Sequence, residues 1–218
     1  MTLASPLPVP QGGQEQALRV PKPGRVDIYF SADVETDGPI PGPYSMLALG
    51  IAVAGTFDGK VFRRPAERLT FYRELQPISH RFQAEALRVN GLDRDALVQS
   101  GTPPTVAMRE AAEWIAKMAQ DAEPVLVAYP LSFDWTWLYW YFMNFLEESP
   151  FNHSRCFDVK TAFAVKAGIP ISGAGRAKLP KELLPEVPHT HNALDDALEQ
   201  AEIFAKVFTW DGELAGRD

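Results

Sequence analysis

The sequence predicts an α/β domain whose sheet mixes strand directions. Two observations carry this expectation. Three strand-like segments joined by turn signals run from Val26 to Leu75, and helical segments alternate with a short apolar run from Thr105 to Phe208. Composition agrees: 218 residues, 46% hydrophobic and 22% charged, suit one soluble globular domain with a tail.

The stretch from Met1 to about Gly24 carries Pro6, Pro8, Pro10, Pro21 and Pro23 among small and polar residues. It reads as a flexible tail over residues 1–24, followed by a domain over 25–210 and a short tail over 211–218. Order is expected from Val26. The run Val26, Asp27, Ile28, Tyr29, Phe30 is rich in strand formers and reads as a strand continuing to Glu35, broken by Asp37-Gly38-Pro39. Met46 to Val53 and Leu69 to Leu75 read as two more strands, and Asp58-Gly59 between them is a hairpin signal, so the opening is expected to be an antiparallel meander.

Thr105 to Gln120 has helical apolar spacing, with Thr105 as the expected N-cap. Pro124 to Ala128 reads as a buried strand, Asp134 to Leu146 as an aromatic helix, and Val159 to Ala167 as a shorter helix. Asn192 to Phe208 reads as a long amphipathic helix.

Charge and cysteine usage narrow the function classes. The net charge of −7 argues against a broad basic surface gripping long duplexes. A site where carboxylates hold cations, and the cations meet phosphate, is compatible with that balance. No apolar run is long enough to span a bilayer, and the N-terminus lacks a signal-peptide pattern. The single cysteine, Cys156, cannot form an internal disulfide, so a cytoplasmic protein is expected.

Three features carry chemistry. In Asp33-Val34-Glu35, strand geometry sends residues i and i+2 to one face, so Asp33 and Glu35 aim two carboxylates at one point. Either a hard divalent cation sits between them or they are solvent-facing acids on an edge strand. Asp134 follows the apolar run Val125, Leu126, Val127 and is either a site carboxylate or the N-cap of the next helix. His191-Asn192-Ala193-Leu194-Asp195-Asp196 opens the last helix. At about 100° per residue, Leu194, Ala197, Leu198, Ala201, Phe204, Ala205 and Phe208 form an apolar stripe. Asp195 then falls with Glu199, Glu202 and Lys206 on the charged face, whereas Asp196 lies between Ile203 and Val207 at the flank of the buried side. Asp196 is either a site carboxylate or half of an ion pair, and His191 a site histidine or a cap.

Taken in order, Asp33-x-Glu35, Phe133-Asp134 and His191 followed five residues later by Asp196 resemble the three motifs of the DEDDh 3′→5′ exonucleases, over roughly Val26 to Phe208. The resemblance implies a ribonuclease H-like fold. It implies that Asp33, Glu35, Asp134 and Asp196 hold two Mg²⁺ or Mn²⁺ ions and that His191 is the general base, consistent with two-ion phosphoryl displacement and with an imidazole that titrates near neutrality. Two departures stand out. Tyr129 and Pro130 occupy the place of a polar pair common before the second motif, and the loop from Asp37 to Tyr44 is proline-rich, resembling a bacterial stand-alone branch.

The implied substrate is single-stranded or short nucleic acid, with Thr36, Trp135 and Phe82 as candidate contacts to the 3′-terminal nucleotide. For Phe82 a plain core role is the alternative, and core packing is expected for most of the aromatics between Trp135 and Phe142. Arg176, Lys178 and Lys181 either touch phosphates or line a solvated loop. A homodimer is expected from the stand-alone relatives. Two rival functions are a catalytically silent nucleic-acid-binding or polymerase-accessory module and a metal phosphohydrolase acting on free nucleotides.

Overall fold

The computed structural model describes residues 24–212. The expected tails therefore lie outside the described residues, apart from Gly24, Asp211 and Gly212. In chain order come β1 (Asp27–Thr36), β2 (Met46–Phe57), β3 (Phe62–Arg63), β4 (Thr70–Glu74), α1 (Ala84–Asn90), α2 (Arg94–Ser100), α3 (Pro104–Ala119), β5 (Glu123–Ala128), α4 (Leu131–Leu146), β6 (Cys156–Asp158), α5 (Val159–Ala167) and α6 (Ala193–Thr209). Three short 3₁₀ turns lie between α5 and α6.

The sheet is mixed. Its order is β3-β2-β1-β5-β6, with β4 also paired to β2. The opening meander is antiparallel, while β1–β5 and β5–β6 are parallel, as strand–helix–strand crossovers require. The Asp58-Gly59 turn forms with the Asp58 carboxylate accepting from the Lys60 and Val61 amides, although the strand it returns, β3, is only two residues long.

Alternation along β1 builds two cores. Ile28, Phe30, Ala32 and Val34 pack with Ala107, Ile115, Trp137 and Tyr141 of α3 and α4. Tyr29 faces the opposite layer, with Phe163 of α5 and Ala197, Ile203 and Phe204 of α6. The period of two therefore sends Asp33 and Glu35 toward the α6 side and Val34 toward α4.

Several expected boundaries move. Thr105 is not the N-cap of α3: the helix starts at Pro104, whose missing N–H costs nothing in the first turn, and Pro103 precedes it. The aromatic helix begins at Leu131 rather than Asp134: Pro130 stands at its N-cap position, and the Leu131 amide donates to Asp158 Oδ2 at 2.6 Å. α2, with Asp93 capping the Ala96 amide, was not anticipated from the sequence; a helix of seven residues is too short for its periodicity to stand out.

Candidate active site

Pairing between β1 and β5 ends at Ser31, while β1 runs on to Thr36 beside β2. The site lies at this carboxyl end of the parallel strands, where open α/β sheets leave a crevice. Asp33 and Glu35 project from the strand's extension.

Asp134 arrives from α4. It does not cap that helix but sits within its first turns, buried, with its Oδ1 accepting from the Val34 amide at 3.2 Å. The bond ties α4 to the part of β1 that has outrun β5. Asp196 arrives from α6 and is 1% exposed. The Thr190 amide donates to its Oδ1 at 2.9 Å and the His191 amide to its Oδ2 at 3.1 Å. Asn192 caps α6 by accepting from the Leu194 and Asp195 amides, which fixes the first turn that carries Asp196.

Ligand oxygens of Asp33, Glu35 and Asp196 lie within 4.8 Å of one another. Asp134 is close enough to add to the repulsion felt by both Asp33 and Glu35. The consequence is electrostatic. Burial first, then Asp134, Glu35 and Asp196, push the Asp33 carboxyl well above the usual range. Glu35 is pushed up to about 8 by burial, then by Asp196 and Asp134. Burial raises Asp134 to about 7, against the Val34 amide, which favours its charged form. Carboxyls crowded in this way bind protons or cations.

α6 approaches the strands closely because Gly50, the β2 partner of Asp33, has no side chain. A Cβ at Gly50 would lie 2.1 Å from the Ala193 carbonyl oxygen and 2.5 Å from the Leu194 amide nitrogen. We expect Gly50→Ala to push the start of α6 outward, costing on the order of 1–3 kcal/mol and separating Asp196 from Asp33. Urea denaturation and oligonucleotide trimming measure the two effects. Wild-type stability together with wild-type trimming would refute this account of the packing.

His191 is exposed and takes φ 58°, a left-handed conformation uncommon outside glycine. Its ring lies 4.5 Å from that of His189, centroid to centroid. Thr36 is buried, with its hydroxyl donating to the Gly38 carbonyl and its own carbonyl accepting from Asn90 Nδ2 at 3.0 Å. Phe82 is not a core residue. It is 52% exposed, with the Arg94 guanidinium 5.2 Å from its ring centre. The adjacent Gln83 amide donates to the Asp37 carbonyl, so Phe82 stands next to the chain that leaves Glu35. Trp135 follows Asp134 on α4 and is half-buried. It stacks on Tyr139 at 4.9 Å and lines an outer groove with Trp140 and Met143. Trp137, Tyr141 and Phe142 fill the core.

Several residues of the site were missed. Gln200 is fully buried; its Nε2 donates to Asp33 Oδ1 at 2.7 Å and its Oε1 accepts from the Tyr129 amide at 2.7 Å. Glu199, assigned from the helical wheel to the charged face, is 5% exposed. Its Oε2 is 2.9 Å from Arg176 Nη1 and 3.1 Å from His189 Nδ1. The buried arc of α6 is rotated from the expected stripe: Leu194 and Leu198 are only partly buried, whereas Asp196, Gln200, Ile203 and Val207 are buried. The 3₁₀ segment packs Leu179 and Leu183 into the α5–α6 core and supplies Arg176, which converts a solvent face into an interior one. Arg176 also donates to the Tyr129 carbonyl, while Lys178 and Lys181 are exposed.

Solved 3′-exonucleases share the fold. The 3′-exonuclease seen recognising a histone mRNA stem-loop superposes with a TM-score of 0.61 at 9% identity, covering 85% of this chain and 65% of that one. The nuclease domain of 3′hExo, a DEDDh family member bound to rAMP, gives a TM-score of 0.60 at 10% identity, covering 84% and 91%. A curated relative, the 3′-5′ DNA exonuclease Cap18 of Escherichia coli, is 36% identical over 179 residues, 82% of this chain and 90% of that protein. The protein is thus a 3′-5′ exonuclease that shares the fold of these solved 3′-exonucleases. Residues 70–208 match the 3′-5′ exoribonuclease Rv2179c-like domain, and the chain belongs to that family.

Proposed function

We propose that the protein removes nucleoside 5′-monophosphates one at a time from the free 3′ end of single-stranded or short nucleic acid, with two Mg²⁺ or Mn²⁺ ions held by Asp33, Glu35, Asp134 and Asp196 and with His191 as general base. The observation that carries this reading is the convergence of Asp33, Glu35 and Asp196 oxygens within 4.8 Å, next to buried Asp134. An all-oxygen, all-acidic donor set fits hard divalent cations. Ions so held supply Lewis-acid stabilisation of the attacking and leaving oxygens in an in-line displacement.

The chain's own residues do the rest. The Val34 amide, Gln200 Nε2 and the Thr190 and His191 amides orient three of the four carboxylates before substrate arrives. His191, exposed beside Asp196, accepts the proton of the attacking water at a ring nitrogen. The chain around Thr36 and the exposed face of Phe82 flank the carboxylates and hold the terminal nucleotide. Trp135 offers a further aromatic face along α4.

The comparisons name an exoribonuclease domain and a DNA exonuclease, so the test uses matched short RNA and DNA strands labelled at the 5′ end. With Mg²⁺ or Mn²⁺ we expect a ladder shortening by single nucleotides, with monophosphates released, and no reaction after chelation. Blocking the 3′ hydroxyl should stop it. Efficient cutting of a circular single strand would make the protein an endonuclease and overturn the reading. Sedimentation of the same preparation reads the expected homodimer.

A further inference from the structure

Beside the all-carboxylate cluster lies a second group of different chemistry that shares one member with it. Ligand atoms of His189, His191 and Asp196 also lie within 4.8 Å of one another. His189 Nδ1 is 3.0 Å from Asp196 Oδ1, and the two imidazoles meet edge to face. Both histidines are exposed while Asp196 is buried, so the group opens outward from the shared carboxylate. Nitrogen donors set it apart from Asp33, Glu35 and Asp196.

We infer that His189, His191 and Asp196 form an inhibitory site for a borderline transition metal such as Zn²⁺. Two imidazoles and one carboxylate with an open position suit a four-coordinate ion, and the Irving–Williams order favours Zn²⁺, Co²⁺ and Ni²⁺ over Mn²⁺ at nitrogen. Mg²⁺ has little affinity for such a set. Two charged side chains flank His189. Glu199 Oε2 lies 3.1 Å from His189 Nδ1, and Arg176, whose charge is matched by Glu199, lies 2.8 Å from the same nitrogen. Glu199 thus offsets the cation nearest the site. The left-handed backbone at His191 brings its ring alongside that of His189 across the intervening Thr190.

A metal ion in this place acts on the reaction in two ways. It occupies the imidazole of His191, which can then accept no proton from water. It also draws on Asp196, which the carboxylate cluster needs. The inhibition therefore rests on the function proposed above, but the binding does not.

The experiment has two arms. Co²⁺ titration followed by visible absorption reports coordination without any turnover: nitrogen-ligated four- or five-coordinate Co²⁺ absorbs far more strongly than the octahedral ion on oxygen ligands. We expect an intense band in the wild type that is lost in His189→Ala and in His191→Ala. His189→Asn, which keeps a polar group against Glu199, should lose it too, and circular dichroism checks that each variant is folded. In the second arm, Zn²⁺ is titrated into Mg²⁺-supported trimming, each protein normalised to its own Zn²⁺-free rate. The half-inhibitory Zn²⁺ concentration should rise more than tenfold in His189→Ala. A weak octahedral spectrum in the wild type, or a band unchanged in His189→Ala, overturns the site, and equal Zn²⁺ inhibition of wild type and His189→Ala overturns its inhibitory role. A strong histidine-dependent spectrum without Zn²⁺ inhibition overturns the inhibitory role. A protein that trims nothing with Mg²⁺ overturns the proposed function instead, and leaves the optical arm to decide the metal site.

Discussion

Asp196→Asn should lower single-turnover trimming by several orders of magnitude, while Asp195→Asn retains most of it. The two residues are chemically identical neighbours, so the contrast isolates placement. Asp196 is buried, held by two backbone amides, and within reach of Asp33 and Glu35. Asp195, about 100° further round the helix, is only half-buried and accepts from the Thr190 hydroxyl at 3.1 Å. Asparagine in place of Asp196 keeps the shape and one acceptor but removes the charge that a divalent ion needs, and residues of a two-ion site act as a unit. Calorimetric Mn²⁺ titration should show weakened binding only for Asp196→Asn. If Asp195→Asn is the inactive variant, both the motif assignment and the geometry of the first turn of α6 are wrong.

Asp33→Asn should abolish trimming and at the same time stabilise the metal-free protein. Asp33 sits among Asp134, Glu35 and Asp196 with its carboxyl raised by burial and by those neighbours. Removing one negative charge relieves the others. At pH 8 the gain should be at least about 1 kcal/mol, or roughly 2–4 °C in Tm for a chain of this size. The pH dependence has a definite sign. Glu35 titrates in the folded state at about 8, against an ordinary value of 4.5. Below 4.5 both folded and unfolded chains hold the proton. Between 4.5 and about 8 the unfolded chain releases it while the folded chain keeps it, so stability falls as pH rises. Asp134, raised from 3.8 to about 7, acts in the same direction. The metal-free wild type should therefore melt lower at pH 8 than at pH 5, and Asp33→Asn should flatten that slope. Mg²⁺ or Mn²⁺ should reverse it, because binding to deprotonated carboxylates releases protons. Thermal melts in chelator and in excess divalent ion measure all of this. A wild type without chelator-dependent pH sensitivity would remove the electrostatic basis of the site.

By itself the sequence determined whatever depends on neighbours a few residues apart. The period of two along β1 placed Asp33 and Glu35 on one face and Val34 on the other, and the turn at Asp58-Gly59 followed from local chemistry. The opening of α6 just after Asn192 and the difference in burial between Asp195 and Asp196 came from the same short-range geometry. Tertiary structure decided the rest. For Asp134 the local pattern left a helix cap open beside a site carboxylate, because its partner, the Val34 amide, is 100 residues away. Gln200 reaches Asp33 across 167 residues, and no local pattern marks it. Glu199 looked solvated because the wheel treats the polar side of α6 as facing water, whereas Arg176 and the 3₁₀ segment cover it. Nothing local marks Gly50, against which α6 rests its first turn. A helical wheel or a strand alternation follows from backbone geometry that every residue carries locally. Which face another segment will cover depends on how distant apolar surfaces pack, and that is settled only when the whole chain has closed.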